Sequence, residues 1–140
     1  MDKSHVLQKI PYDQEFTYME TKECYREELN RKKQETSVAG AVNWLMEDYD
    51  QSMNANGMEK FVIMLASMLF MIENDIVDSD TAYGTKWDIL DFETGDYDHL
   101  FTTEDLTCIK EDVKIINRYL GEHPHFLDDV EEDWKKARIE

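Results

Sequence analysis

The chain has 140 residues, of which 41% are hydrophobic and 11% aromatic, a length and composition that suit one domain with a core and exclude a disordered chain. Its 32 Asp and Glu residues against 15 Lys and Arg residues give a net charge of −17. A field of that sign argues against DNA, RNA or an anionic membrane surface as a direct ligand.

The N-terminal segment, residues 1–16, has no clear hydrophobic period and contains Pro11, so we expect it to be irregular. It lacks the basic region and apolar run of a secretory signal. Cys24 and Cys108 belong to no CxxC or Cys/His pattern, which predicts two reduced thiols. The longest apolar run, 61–72, is shorter than the roughly 20 residues of a membrane span. These features predict a cytoplasmic protein.

The first predicted helix runs from Tyr18 to about Glu35. Acids and bases alternate along it, and two acid–base pairs have the i,i+4 spacing that stabilises an exposed helix. These pairs are Glu27 with Arg31 and Glu28 with Lys32. The sequence therefore predicts a surface helix with a narrow inner stripe.

A second helix is predicted to start near Ser37, a good N-cap residue, and to continue to about Met53. The turn-forming sequence 54–57 separates it from a third helix, which should run from Met58 to about Val77. Because residues 61–72 are apolar on nearly every side of a helix, we expect this third helix to be the centre of a bundle.

An unusually acidic stretch follows, from Glu73 to Asp105, with eleven acids and one base, Lys86, for a net charge of −10. Within it the hydrophobic period is ambiguous. Thr85 and Asp88 have the spacing of a capping box and would begin a short helix, whereas residues 93–96 could form the turn of a small hairpin. Around residues 78–101 we therefore expect an irregular segment, a small hairpin or a short helix.

The amphipathic repeat from Glu104 to Leu120 predicts a further helix, with Thr102 as N-cap and Gly121 at its end. A short last helix is predicted after the break at residues 123–125, with its acids early and its bases late. The fold expected is thus mostly α, one domain comprising a bundle of about five helices.

Two groups of residues contain the ligand types that divalent ions prefer. They are His123 and His125 near Asp128 and Asp129, and Asp96 with Asp98 and His99. Neither group has a diagnostic spacing, and the sequence contains no HExxH, EF-hand, P-loop, GxGxxG or GxSxG motif. No metal, no cofactor and no nucleophilic catalysis are therefore predicted.

One enzyme-like pattern is present. Glu20-x-x-Glu23 followed by Glu47-x-x-Asp50 resembles the ExxE…ExxD signature of the all-α nucleoside triphosphate pyrophosphohydrolases. That resemblance implies carboxylates on two helices that hold magnesium ions against a triphosphate. A magnesium-dependent pyrophosphohydrolase is the alternative function, and solvated helix carboxylates are the simpler interpretation.

The acidic stretch has a second use, because acids interleaved with large aromatic residues are suited to contacting a basic protein. The predicted partner-binding residues are Trp87, Asp88, Asp91, Glu93, Asp96, Tyr97 and Asp98. The acid run Asp128, Asp129, Glu131, Glu132 and Asp133 is a reserve surface. The simpler interpretation is a solvated acidic loop whose aromatic residues cap the bundle.

In general character the chain resembles the immunity proteins of bacterial polymorphic and contact-dependent toxin systems. The resemblance rests on small size, acidity, a methionine-rich central helix and an acidic-aromatic segment before the helix EDLTCIKEDVKIINRYL. It implies a non-enzymatic inhibitor whose partner is a basic toxin domain, a nuclease in particular. A DNA mimic or an adaptor would use the same acidic surface for another partner.

Overall fold

The computed structural model describes residues 17–51, 57–127 and 129–139, so the predicted irregular segment 1–16 lies outside the described residues. Six α-helices are present in these ranges: α1 Tyr18–Glu35, α2 Val38–Gln51, α3 Gly57–Glu73, α4 Ser79–Glu93, α5 Thr103–Glu122 and α6 Val130–Ile139. Short 3-10 helices span Asp98–Leu100 and Pro124–Leu127. The mostly α fold is confirmed, and the described residues contain no strand.

The contacts divide the chain into two compact units, one ending at Ile76 and the other beginning at Val77. In the first unit, α1, α2 and α3 each contact the other two, which makes a three-helix bundle. As predicted, α3 is buried on nearly every side, and Phe61, Leu65 and Met68 have no exposed surface. An apolar helix without a polar face is stable only in such a central position.

Helix α1 has the predicted bounds, and its start is fixed by a capping box that the sequence interpretation missed. The backbone N–H of Glu20 donates to Thr17 Oγ1 at 3.1 Å, and the backbone N–H of Thr17 donates to Glu20 Oε1 at 3.2 Å. Its ion pairs are spaced differently from the prediction. Glu28 pairs with Arg31 and Glu35 with Lys32, both at i,i+3.

The predicted N-cap of α2 is confirmed, because Ser37 Oγ accepts the backbone N–H of Gly40 at 2.9 Å. Helix α3 ends in a Schellman motif, in which Ile76 N–H donates to the carbonyl of Met71 and Asp75 N–H to that of Ile72. Asp75 occupies the left-handed position at φ 54°, which Asp tolerates better than most side chains. This turn stops α3 before the predicted end near Val77.

Helix α4 occupies most of the ambiguous segment 78–101, so the irregular and hairpin alternatives are wrong there and the helical alternative is right. The helix begins earlier than the predicted cap at Thr85, since Asp78 is the N-cap and accepts the backbone N–H of Thr81 at 2.8 Å. Gly95, interpreted as part of a hairpin turn, instead ends α4 in a second Schellman motif at φ 89°. This additional helix explains why six rather than five are found.

In the second unit, α4 contacts α6 and the 3-10 helix at 124–127, and α5 contacts that same 3-10 helix. The predicted cap of α5 is confirmed, because Thr102 Oγ1 accepts the backbone N–H of Asp105 at 3.1 Å. Gly121 does not end this helix, which continues to Glu122 and is capped by His123. No described helix has the length and apolar character needed to cross a membrane.

Candidate functional site

The seven predicted partner-binding residues lie on α4 and on the turn that follows it. Trp87, Asp88 and Asp91 belong to α4 itself, Glu93 is its last residue, and Asp98 begins the next 3-10 helix. The Schellman turn at Gly95 reverses the chain, which brings Asp96 and Tyr97 back toward the helix. We refer to the seven residues together as the acidic surface.

The phenol of Tyr97 interacts electrostatically with three carboxylates of the acidic surface. Burial raises the pKa of Tyr97 well above its usual value, and the negative charges of Asp88, Asp91 and Asp96 raise it further. A phenolate would be repelled by each of these carboxylates, so the neutral phenol is strongly favoured. Tyr97 is therefore a half-buried hydrogen-bonding aromatic residue in a negative environment, a form well suited to contacting a cation.

Asp91 and Trp87 also make contacts within the second unit, which the sequence did not indicate. Trp134 Nε1–H on α6 donates to Asp91 Oδ1 at 2.8 Å. The ring of Trp87 contacts the ring of Tyr83 at 6.1 Å between centroids, and the Tyr83 hydroxyl donates to Asp133 Oδ2 at 3.0 Å. We call these contacts the α4–α6 clasp. Asp91 thus has a structural role in addition to any role in binding.

Lys86, the one base in the acidic stretch, is buried at 9% exposure. Its ammonium donates to Asn117 Oδ1 on α5 at 3.1 Å. In contrast, Glu93, Asp96 and Asp98 are exposed. The one base of the acidic stretch is therefore buried, whereas these three acids are exposed to solvent.

A groove of about 440 Å³ lies beside the acidic surface, between the end of α4 and α5. Phe92 and Val113 supply apolar lining, Glu93 and Asp98 are its acids, and Lys110 and Lys114 of α5 are its bases. Gly95 and Asn117 complete the described lining. Sequence reasoning missed the two lysines because they lie outside the acidic stretch.

The reserve surface is only partly described. Asp128 lies outside the described residues, Asp133 accepts from Tyr83, and Glu132 pairs with Lys136 at 3.3 Å on the exposed side of α6. Glu131 and Asp129 are exposed. Two of these acids are thus engaged in contacts within the second unit.

The carboxylates of the alternative function lie on α1 and α2, which the two-residue connection at 36–37 makes antiparallel neighbours. Glu20 takes part in the capping box of α1, and Glu23 pairs with Arg26 at 3.5 Å. Glu47 is exposed on α2, and the side chain of Asp50 lies outside the described part of the structure. The pyrophosphohydrolase alternative stays a prediction.

Among the residues that the structure describes, no three His, Cys, Asp or Glu side chains converge as metal ligands. His123 instead stacks on Tyr119 at 4.1 Å between ring centroids, and its Nδ1 lies 2.9 Å from the Tyr119 carbonyl oxygen. His125 packs against Phe126. Both histidine rings therefore pack against aromatic residues at the end of α5 and in the 3-10 helix that follows it.

Cys24 is partly buried on α1 and Cys108 partly buried on α5, and both are free thiols. Burial raises the pKa of the Cys24 thiol, and the carboxylates of Glu27 and Glu20 raise it further. A thiol in that environment is a poor nucleophile.

Comparisons with protein-family models, curated proteins and solved structures found no match to this chain.

Proposed function

We propose that the chain is a non-enzymatic inhibitor of the immunity-protein type, which binds a basic toxin domain, a nuclease in particular, through the acidic surface. One observation carries the proposal. Glu93, Asp96 and Asp98 are exposed at one end of α4, while Lys86, the one base of the acidic stretch, is buried. A basic protein can therefore contact these carboxylates directly, because Lys86 is engaged with Asn117 and not with them.

The inhibition proposed is occlusion by charge and shape. A cleft that binds nucleic acid phosphates is lined with Lys and Arg, and exposed carboxylates can occupy the same positions. Opposite charges accelerate association, whereas buried aromatic contacts slow dissociation. Tyr97, half-buried near three carboxylates, is the aromatic anchor in this arrangement, and Trp87 is the other aromatic residue of the acidic surface.

The test is to reverse only the exposed acids of this surface. The variant Glu93→Lys/Asp96→Lys/Asp98→Lys leaves the α4–α6 clasp intact because Asp91 is not changed. The probe is the purified C-terminal domain encoded by the neighbouring reading frame, which the proposal expects to be basic. We expect affinity to fall by at least about 30-fold and its salt dependence to become weaker. Calorimetric titration at two salt concentrations measures both.

The matched control reverses the same number of exposed acids elsewhere, at Glu27, Glu104 and Glu122. This variant has the same net charge but keeps the acidic surface, so its affinity should fall much less. Equal losses in both triple variants, or no loss in either, would overturn the assignment of this surface. Rescue of cells that express the neighbouring domain is the corresponding assay of function.

The enzymatic alternative has its own readout. The pure protein is incubated with nucleoside triphosphates and Mg²⁺, and pyrophosphate release is measured. The inhibitor proposal expects no release of pyrophosphate. Release that disappears in Glu47→Gln would replace the inhibitor proposal with the magnesium-dependent pyrophosphohydrolase.

A further inference from the structure

The groove beside the acidic surface contains both signs of charge, which an inhibitor acting by simple electrostatic attraction does not need. Glu93 and Asp98 come from the end of α4 and the turn after it, and Lys110 and Lys114 come from one face of α5, four residues apart. A basic partner is attracted by the two acids and repelled by the two lysines. The lysines therefore lower the general affinity for basic proteins.

The lysines are available to a ligand. Both are exposed, and the contact of Lys114 is an ion pair with Glu111 on the same helix at 3.3 Å, in which both side chains are about 70% exposed. Such an exposed pair contributes little to stability. A carboxylate from a partner can replace Glu111 at small cost.

The rest of the groove accommodates an apolar side chain. Phe92 and Val113 are each 5% exposed, and both line the groove together with the charged residues. The volume of about 440 Å³ is within the range that small ligands and side chains occupy. The groove thus combines acidic, apolar and basic lining.

We infer that this groove receives a segment of the partner in which a basic, an apolar and an acidic side chain are adjacent, and that Lys110 and Lys114 select the cognate partner by requiring its acidic side chain. The inference rests on the proposed function, since Glu93 and Asp98 belong to both the groove and the acidic surface. Selection of this kind combines an attractive contact with a repulsive one, so that a basic protein without the acid is rejected.

The test uses three capped heptapeptides that differ only at their centre: Arg-Phe-Glu, Arg-Phe-Arg and Glu-Phe-Glu. Binding is followed by amide chemical shifts, with Gly95, Val113 and Asn117 as reporters of the groove. Arg-Phe-Glu is expected to bind most tightly and to shift these amides. The same shifts from free phenylalanine at equal affinity would identify a small-molecule site and overturn the inference.

Charge reversal of the lysines separates selection from simple attraction, because attraction alone expects Arg-Phe-Arg to bind most tightly both before and after the change. In Lys110→Glu/Lys114→Glu the preference should invert, with Arg-Phe-Arg binding at least about tenfold more tightly than Arg-Phe-Glu. The control Lys135→Glu/Lys136→Glu makes the same change of charge on α6 and should keep the original order. An unchanged order in the α5 variant would overturn the role of the lysines.

The two proposals can fail separately. If the neighbouring basic domain does not bind while the peptides follow the predicted order, the inhibitor proposal fails and the selectivity of the groove stands. If the domain binds through the acidic surface and tolerates Lys110→Glu/Lys114→Glu with equal or greater affinity, the inferred selection is wrong and the inhibitor proposal stands.

Discussion

Tyr97 shows how individual carboxylates control one side chain. Because its pKa is raised in the folded protein above the ordinary value of 10.0, the unfolded chain loses this proton first as the pH rises. The stabilisation by the neutral phenol is complete below pH 10 and is lost as the pH approaches the folded-state pKa. Solvent screening moderates the effect, since the side chain is only half buried.

The corresponding prediction concerns Tyr97→Phe, which cannot ionise. Between pH 9 and pH 11 the free energy of unfolding of the unchanged protein should fall more steeply than that of the variant, and urea titrations at the two pH values measure this difference. Tyr83→Phe is the comparison, because the pKa of Tyr83 is raised first by desolvation and then by its hydrogen bond to Asp133. Parallel slopes for the unchanged protein and Tyr97→Phe would contradict the prediction.

Asp91 illustrates a residue whose acidity serves the fold. Trp134→Phe keeps an aromatic ring on α6 but removes the N–H that donates to Asp91. A hydrogen bond to a charged acceptor contributes about 1.5–3 kcal/mol, so the free energy of unfolding should fall by an amount in that range, which urea titrations measure.

A double-mutant cycle separates this contact from other effects of the same substitutions. When Asp91→Ala and Trp134→Phe are combined, the loss should be smaller than the sum of the two single losses, since each change removes the same hydrogen bond. Strict additivity would show that the two side chains are not coupled in solution.

At the scale of elements, the glycines at the ends of α4 and α5 have opposite roles. Gly95 has φ 89°, and a Cβ there would lie 3.3 Å from Asp98 Oδ2, so Gly95→Ala should cost about 1–2 kcal/mol. Gly121 lies in the last turn of α5, where an added Cβ would meet no atom within 4 Å, and Gly121→Ala should stabilise by about 0.5 kcal/mol.

Thermal unfolding measures the expected loss of stability in Gly95→Ala and the expected gain in Gly121→Ala. Gly95→Asn should lie between Gly95→Ala and the unchanged protein, because Asn adopts left-handed backbone more readily than Ala. If Gly95→Ala were as stable as Gly121→Ala, the Schellman turn after α4 would not be the determinant of its end.

The elements that the sequence predicted well have a strong local signal. Helix α1 has matching bounds because its charges and apolar stripe share one helical period, and Thr102 marks the start of α5 by its own side chain. Helix α4 was ambiguous because its buried face includes the polar residues Thr85 and Lys86. Its opposite face is also engaged, through Tyr83 and Asp91, so neither side has a simple hydrophobic period.

The parts of the site that were missed depend on contacts between distant residues. The clasp joins Asp91 to Trp134 across 43 positions, and the pairing of Lys86 with Asn117 spans 31. No local pattern links such residues before the helices pack. The acidic residues themselves were visible in the sequence, whereas the burial of Lys86 and the two lysines of the groove depend on tertiary structure.

At the scale of the whole molecule, a charge of −17 attracts any basic protein, and attraction alone does not orient it. The opposed acids and lysines of the groove form a local electric dipole. Within about 8 Å, the Debye length at physiological salt, such a dipole exerts a torque on an approaching partner that has its own pair of opposite charges. Rotational alignment would then begin before contact, so a segment with its acid and base exchanged would meet the groove in the wrong orientation.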